Sequence, residues 1–348
     1  MCRSQLSESM DVLIKLNRLG CAVRLHKGRV RHQSLRSASG GRDFPPVSHL
    51  NVQQATAIWE QRFRGCGVSE PYLSSQYIMA HILGAKTMAS LDPIIMTKEL
   101  TGVQTHRFWE LCSKRLARMP VQYVIEEWDF RDLTLKMRPP VFIPRPETEE
   151  LVGLVLAGFQ SRWDSRVPSL RCLELCCGSG AVSLSLLHSL PQLSVVAVDK
   201  STEAVSLTQE NAHRLGLQDR LEVRQLDLTV DAEVILKECG PVDILVSNPP
   251  YLFSQDMTSL EPEILRFEDP AALDGGADGL QIIAQILTLA PHLLKDLGFV
   301  YLEVDPRHPP VIQKFAEEEK IGLEYIQTHY DITNRPRFCV LQRRGAEN

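Results

Sequence analysis

The sequence predicts an α/β protein in two parts: a small helical unit, then an open sheet of Rossmann-like type. Three observations carry that prediction. Apolar residues recur at helical spacing through residues 50–118, with no run of alternation among them. From Leu170 the order becomes strand, glycine-rich turn, helix, strand, acid. Finally, four successive apolar strands each end in a polar group, namely Glu174, Asp199, Asp227 and Asn248. In open α/β sheets ligands bind at that carboxyl edge. A length of 348 residues suits two domains.

Composition narrows the class. The 44% hydrophobic content is that of a globular chain, and no apolar run is long enough to span a membrane. The nine cysteines show no even framework and no pair of CxxC knuckles, so they read as reduced thiols of an intracellular protein. Charge is uneven. Residues 1–42 hold nine Lys/Arg against Glu8 and Asp11, a net of +7, which leaves −12 on the rest of a chain whose total is −5. That balance is a poor footprint for a duplex-DNA binder. The basic, Ser-containing arm, with an amphipathic piece around Met10–Leu25, has the character of a mitochondrial transit peptide. A basic arm with no targeting role is the plainer alternative.

Folded structure is expected to begin near Val47. Residues 47–119 form the helical unit, with Ala55, Ile58, Trp59 and Phe63 on one helix, Leu73, Tyr77, Ala80 and Leu83 on the next, and Phe108, Leu111, Cys112 and Leu116 on a third. The period then changes. Val121, Tyr123 and Ile125 alternate, as do Leu133, Leu135 and Met137, with Arg131-Asp132 as the turn, so residues 120–143 read as a β-hairpin linker. The strip Phe142-Ile143-Pro144-Arg145-Pro146 is extended and stiff, and Thr148 or a neighbour starts a helix bearing Leu151, Leu154 and Val155. Arg145 is expected to pair with a carboxylate; the strip could also wall a pocket. Residues 144–348 form the second domain.

In that domain Leu170–Leu175 is a strand, Cys176-Cys177-Gly178-Ser179-Gly180 a turn and Ala181–Leu190 a helix whose first N–H groups are free. Asp199 closes the strand that starts at Leu193. A carboxylate there can accept both hydroxyls of a ribose; the bland alternative is a solvated loop acid. Asp227 follows the strand Leu221–Leu226, where it could accept from an adenine amino group with Leu228 flanking the ring. The long acidic segment 252–278 is of a length that is usually functional or disordered. A helix, a strand, a helix and two strands complete the chain, and His308 and His329 read as surface or core histidines.

The fourth strand, Val242–Val246, runs into Asn248-Pro249-Pro250-Tyr251. A Pro-Pro pair cannot continue a central strand, so the tetrapeptide is a rigid turn at the ligand edge. The Asn248 side-chain oxygen and the Pro249 carbonyl are two acceptors that could fix a planar NH2 group, with the Tyr251 ring packed on it. The structural alternative is a strand-ending turn with a buried tyrosine.

These residues, above all Phe142–Glu149 and Asn248–Tyr251, resemble the HemK family of protein-(glutamine-N5) methyltransferases that modify peptide chain release factors. The resemblance covers roughly residues 50–343. It implies the class I fold that uses S-adenosyl-L-methionine (SAM), a seven-stranded mixed sheet behind a helical substrate-recognition domain. It also implies methyl transfer to the glutamine of a Gly-Gly-Gln loop. By the same resemblance Glu174, Cys176, Cys177, Gly178, Ser179, Gly180, Asp199, Asp227, Leu228 and Asn248 would bind the cofactor. Asn248, Pro249, Pro250 and Tyr251 would grip the amide, with no metal needed. The basic arm would make this the mitochondrial member, acting in the matrix on a mitochondrial release factor and taken here as a monomer. One departure stands out: the family usually has glycine at the place of Cys176. Two rivals remain at this point. One is an adenine-N6 methyltransferase of nucleic acid, which would flip its base out. The other is a SAM-binding interaction protein without turnover.

Overall fold

The computed structural model describes residues 50–162, 169–318 and 321–345. The basic arm, and with it the expectation of a targeting segment, lies outside those residues.

The helical unit holds α1 (Val52–Gly65), α2 (Pro71–Ile82) and α3 (Gly102–Leu116). Asn51 caps α1 and Thr101 caps α3, each through a reciprocal box with the Gln three residues on. Trp59, Phe63, Phe108 and Trp109 fill its core; the two tryptophan rings meet edge to face at 5.7 Å. On α2 the buried face differs from the expected one. Ala80 is buried as expected, but Ile78, Met79 and two serines, Ser74 and Ser75, share that face, while Leu73, Tyr77 and Leu83 are half-buried. The small serines leave room for Arg115, whose Nε donates to Ser74 Oγ at 3.0 Å.

The linker also differs. Val121–Ile125 is a short helix, α4, instead of a strand. Pro120 fixes the entry, and Tyr123, Val124 and Ile125 are buried in succession, which a half-buried strand cannot achieve. The hairpin proper is β1 (Glu127–Phe130) against β2 (Leu133–Lys136).

The chain then runs α5 (Pro146–Arg162), β3 (Leu170–Leu175), α6 (Ala181–Ser189), β4 (Leu193–Asp199), α7 (Thr202–Leu215), β5 (Leu221–Gln225), α8 (Ala232–Glu238) and β6 (Val242–Ser247). It continues through α9 (Pro262–Phe267), α10 (Gln281–Leu293), β7 (Leu294–Glu303), α11 (Pro309–Glu318), β8 (Leu323–Tyr330) and β9 (Pro336–Arg343). The sheet has seven strands in the order β5-β4-β3-β6-β7-β9-β8. Its first five are parallel, and β9 is antiparallel to both β7 and β8. Two apolar layers sandwich it, one led by Leu151, Leu184 and Leu187, the other by Ile283, Ile286 and Leu293. Strand order reverses between β3 and β6, which creates a crevice at their carboxyl ends. No helix among the described residues is long and apolar enough to cross a membrane.

Candidate active site

At the end of β3 the chain leaves the sheet through left-handed backbone: φ is +62° at Cys176, +56° at Gly178 and +80° at Gly180. Only one of these positions is also sterically closed. A Cβ on Gly180 would stand 2.9 Å from Thr208 Cγ2. The turn is held from α7, where Thr208 Oγ1 donates to the Gly178 carbonyl and Asn211 Nδ2 to that of Ser179. On Gly178 a Cβ would meet nothing within 4 Å, so its bare backbone faces open space.

Four acids stand around this turn. Glu174 is buried and accepts from the Ser183 N–H and hydroxyl, which ties the end of β3 to the first turn of α6. Burial outweighs those bonds and pushes its carboxyl up to about 8. Asp199 accepts from Gly178 N and Ser201 N, both at 2.9 Å, one on each oxygen. Its carboxyl is likewise raised, first by burial. Each oxygen keeps a second lone pair. Asp227 is held down by the Thr229 hydroxyl and N–H, and Leu228 beside it is buried. Asp269, from the long segment after Tyr251, completes the set.

The turn after β6 is built from side-chain bonds. Asn248 Nδ2 donates to Thr148 Oγ1 at 3.1 Å, so the amide nitrogen is committed and the amide oxygen is the end left for a ligand. Tyr251 donates its hydroxyl to Glu303 Oε1 at 3.1 Å. Glu303 closes β7 and is 1% exposed; burial raises its carboxyl to about 7 despite hydrogen bonding from Thr148 and Tyr251. Arg145 does find a carboxylate. Its Nη2 donates to buried Glu268 at 2.6 Å while its guanidinium stacks on Phe142. Both expectations for the strip hold together, since Phe142, Pro144 and Arg145 also line the cavity.

That cavity, of about 280 Å³, lies over the crevice. Every site residue expected from sequence lines it except Gly180, which supports the turn from behind. Thr148 and Glu303 were not among the expected residues. Thr148 was visible only as a helix start, and Glu303 as one more residue of an apolar strand. From sequence the segment 252–278 reads as a long acidic stretch, either functional or disordered. It is ordered, it contains α9, and its ends are joined by a bridge between Leu252 and Asp274. His308 is buried, with its ring stacked on Phe253 and Nε2 against the Asp278 carbonyl.

Comparison with known proteins agrees with this geometry. The family model "Methyltransferase small domain" matches residues 154–304, so the sheet and its crevice are those of a methyltransferase. The model of the PrmC N-terminal domain matches residues 54–125. The human MTRF1L release factor glutamine methyltransferase is 50% identical over 309 residues, covering 86% of this chain and 90% of the human one. The release factor glutamine methyltransferase of Deinococcus radiodurans is 32% identical over 295 residues, covering 85% and 98%. That of Streptomyces coelicolor is 33% identical over 298 residues, covering 84% and 96%. The chain belongs to the release factor glutamine methyltransferases.

Proposed function

We propose that this enzyme transfers the methyl group of SAM to the side-chain amide nitrogen of the glutamine in the Gly-Gly-Gln loop of a mitochondrial peptide chain release factor. The observation that carries the chemistry is the commitment of Asn248 Nδ2 to Thr148. It turns the Asn248 oxygen into an acceptor at the cavity, next to a Pro249 carbonyl in a backbone that two prolines hold fixed.

The residues fit SAM. The acids Asp199 and Asp227, with the buried Glu174 behind them, suit a ligand with a diol and an amino group, and the open space at Gly178 admits a ligand against bare backbone. The first N–H groups of α6 and the turn Cys176–Gly180 would hold its carboxylate end, Asp199 its ribose, and Asp227 with Leu228 its adenine. When bound, SAM supplies an electrophilic methyl on a sulfonium. The chain supplies position. Asn248 Oδ1 and the Pro249 carbonyl take the two N–H bonds of the substrate amide and aim its nitrogen at the methyl. They would accept more strongly as positive character grows on that nitrogen. The nitrogen would give one of its two protons to solvent, while the sulfur–methyl bond pair stays on sulfur and S-adenosyl-L-homocysteine leaves. Tyr251, tethered by Glu303, packs beside the amide plane.

The mitochondrial placement and a matrix location rest on the basic arm of the sequence. The direct test incubates the enzyme with SAM, a mitochondrial release factor and an adenine-containing duplex. The expected product is a gain of about 14 Da on the Gly-Gly-Gln glutamine, one methylene per methyl placed by proximity alone. Methyl on the duplex and none on the protein would overturn the proposal.

A further inference from the structure

The cavity has a roof, and the roof is tied to the helical unit. Residues 260–273 lie over the pocket, with Leu260, Ile264, Asp269 and Leu273 among its lining. The segment is fixed at its base, where Leu252 N donates to Leu273 O and Gly275 N to Leu252 O. It is fixed in the middle, where Asp269 N donates to Pro140 O and Glu268 accepts from Arg145 and from Ile143 N. A last attachment leaves the catalytic domain. Glu263, on α9 next to Ile264, is buried, and its Oε1 accepts from Arg115 Nη1 at 3.1 Å, Arg118 Nη1 at 3.2 Å and Ser69 Oγ at 3.3 Å.

Arg115 is anchored in the helical unit by its other bonds. It is 4% exposed, and its remaining donors go to Ser74 Oγ, Met119 O and both the carbonyl and hydroxyl of Ser69. A buried guanidinium with every arm satisfied is a rigid post. Burial alone would raise the Glu263 carboxyl; its hydrogen bonds, those of the two arginines among them, hold it below the ordinary range, so it stays charged. As a stabilising device such a pair is inefficient, because desolvation consumes most of its attraction. What the pair does deliver is a fixed distance between α3 and α9.

We propose that Glu263 is a positioning residue of the cofactor pocket: through it the helical unit holds the 260–273 roof over the cavity and slows departure of the cofactor. The inference rests on the proposed SAM site and adds a second task for the helical unit. Neither Glu263 nor Arg115 lines the cavity, so their effect reaches the ligand through the roof residues that do, Leu260 and Ile264 among them.

The test uses the full chain and three variants, Glu263→Gln, Arg118→Gln and Lys86→Ala. Arg118→Gln removes the more exposed arm, together with its bond to the Cys66 carbonyl, and leaves the Arg115 pair, so it stays informative if Glu263→Gln does not fold. Lys86 joins the helical unit to the hairpin at Asp129 and Thr134, away from the roof. Dissociation of S-adenosyl-L-homocysteine is followed by stopped-flow displacement, with hydrogen exchange read over residues 260–273. Both roof variants should release the ligand faster, by about 2- to 30-fold, the span that positions touching neither ligand command. They should also exchange faster in that segment, and raise KM for SAM while kcat at saturation holds. Lys86→Ala should match the parent. Unchanged dissociation in a folded Arg118→Gln and Glu263→Gln, with the parent binding normally, overturns this inference alone. No binding by the parent overturns the cavity assignment with it.

Discussion

The turn after β3 and the turn after β6 lie on neighbouring parallel strands, with Leu175 paired to Ser247, and they are stiffened in opposite ways. The first uses left-handed backbone at Cys176, Gly178 and Gly180 and is clamped through its carbonyls by Thr208 and Asn211. Gly178 N–H goes to Asp199, Cys177 N–H to Val198 and Gly180 N–H to Cys177, so the donors it presents to the cavity come from Ser179 and the first turn of α6 at Ala181 and Val182. The second has two prolines and so few donors; Thr148 and Glu303 hold its side chains, and its oxygens are what it offers. In the proposed reading, one crevice therefore has a donor wall that would take the carboxylate of the methyl source and an acceptor wall that would take the NH2 of the methyl acceptor. Damage to the donor wall should fall on cofactor affinity, and damage to the acceptor wall on turnover.

The sharpest cut is Asn248→Ala. Loss of one preorganised acceptor should lower kcat by about 10²- to 10³-fold. Because Asn248 also stands near the proposed cofactor, some loss of SAM affinity is expected, smaller than the loss in kcat. A variant with normal turnover on a release factor would break the comparison outright. Gly180→Ala comes next and should act on the other wall. Positive φ and the approach of Thr208 make a Cβ there cost about 1–3 kcal/mol of strain. Calorimetry should show SAM binding weakened by about tenfold, the equivalent of some 1.4 kcal/mol, with kcat at saturating SAM retained. Adding Thr208→Ser removes the 2.9 Å contact and should restore part of the loss, the part that is steric.

Thr148→Val is a finer probe. It keeps shape and deletes the acceptor that fixes Asn248, so the amide is free to flip. We expect kcat to fall by about three- to tenfold, the worth of a hydrogen bond near 1 kcal/mol. Thr148→Ser should keep most of the activity. If valine is silent, Asn248 is oriented by something other than this bond.

Acidity separates the walls again. Glu174 and Glu303 hold their protons to about 8 and about 7, whereas glutamates of the unfolded chain titrate near 4.5. Below that value both states are protonated and the fold has the full benefit. As pH rises the unfolded chain gives up protons that the folded chain keeps, so unliganded stability declines until Glu303 ionises near 7 and Glu174 near 8. Melting temperature should fall by several degrees across that window, and Glu174→Gln should flatten its upper part. Buried His308, its imidazole lowered by desolvation, works in the opposite direction up to about 6.5, so the test is the difference between variant and parent: a Glu174→Gln profile no flatter than the parent's above that would contradict the raised carboxyl.

What sequence showed and what it hid follow from how each feature is encoded. Strand ends were legible because apolar runs give way to polar groups at or next to Glu174, Asp199 and Asn248, and the glycines of the first turn announce their own backbone freedom. The acceptor turn was legible because proline leaves no alternative. The posts behind these turns were not. Thr148 meets Asn248 across 100 residues and Arg115 meets Glu263 across 148, and no local pattern encodes such pairs. Val121–Ile125 misled for the reverse reason: three alternate apolar residues imitate a strand, and the buried Val124 between them is what the alternation left out.

The smallest effect is expected at Cys176, and it tests how far the donor wall depends on glycine. At φ +62° an L-residue is strained by about 1–2 kcal/mol, while glycine is not. Glycine costs about 0.5–1 kcal/mol in the entropy of the unfolded chain, which offsets much of that relief. Cys176→Gly should therefore shift stability by no more than about 1 kcal/mol and leave SAM affinity equal or better. The thiol itself contributes no charge, since burial and the nearby Asp199 hold it well above its ordinary range. It acts as a small apolar group at the cavity wall. A large fall in SAM affinity on Cys176→Gly would mean that the Cys176 side chain, and not the backbone it sits on, is part of the site. The two walls would then be alike in kind.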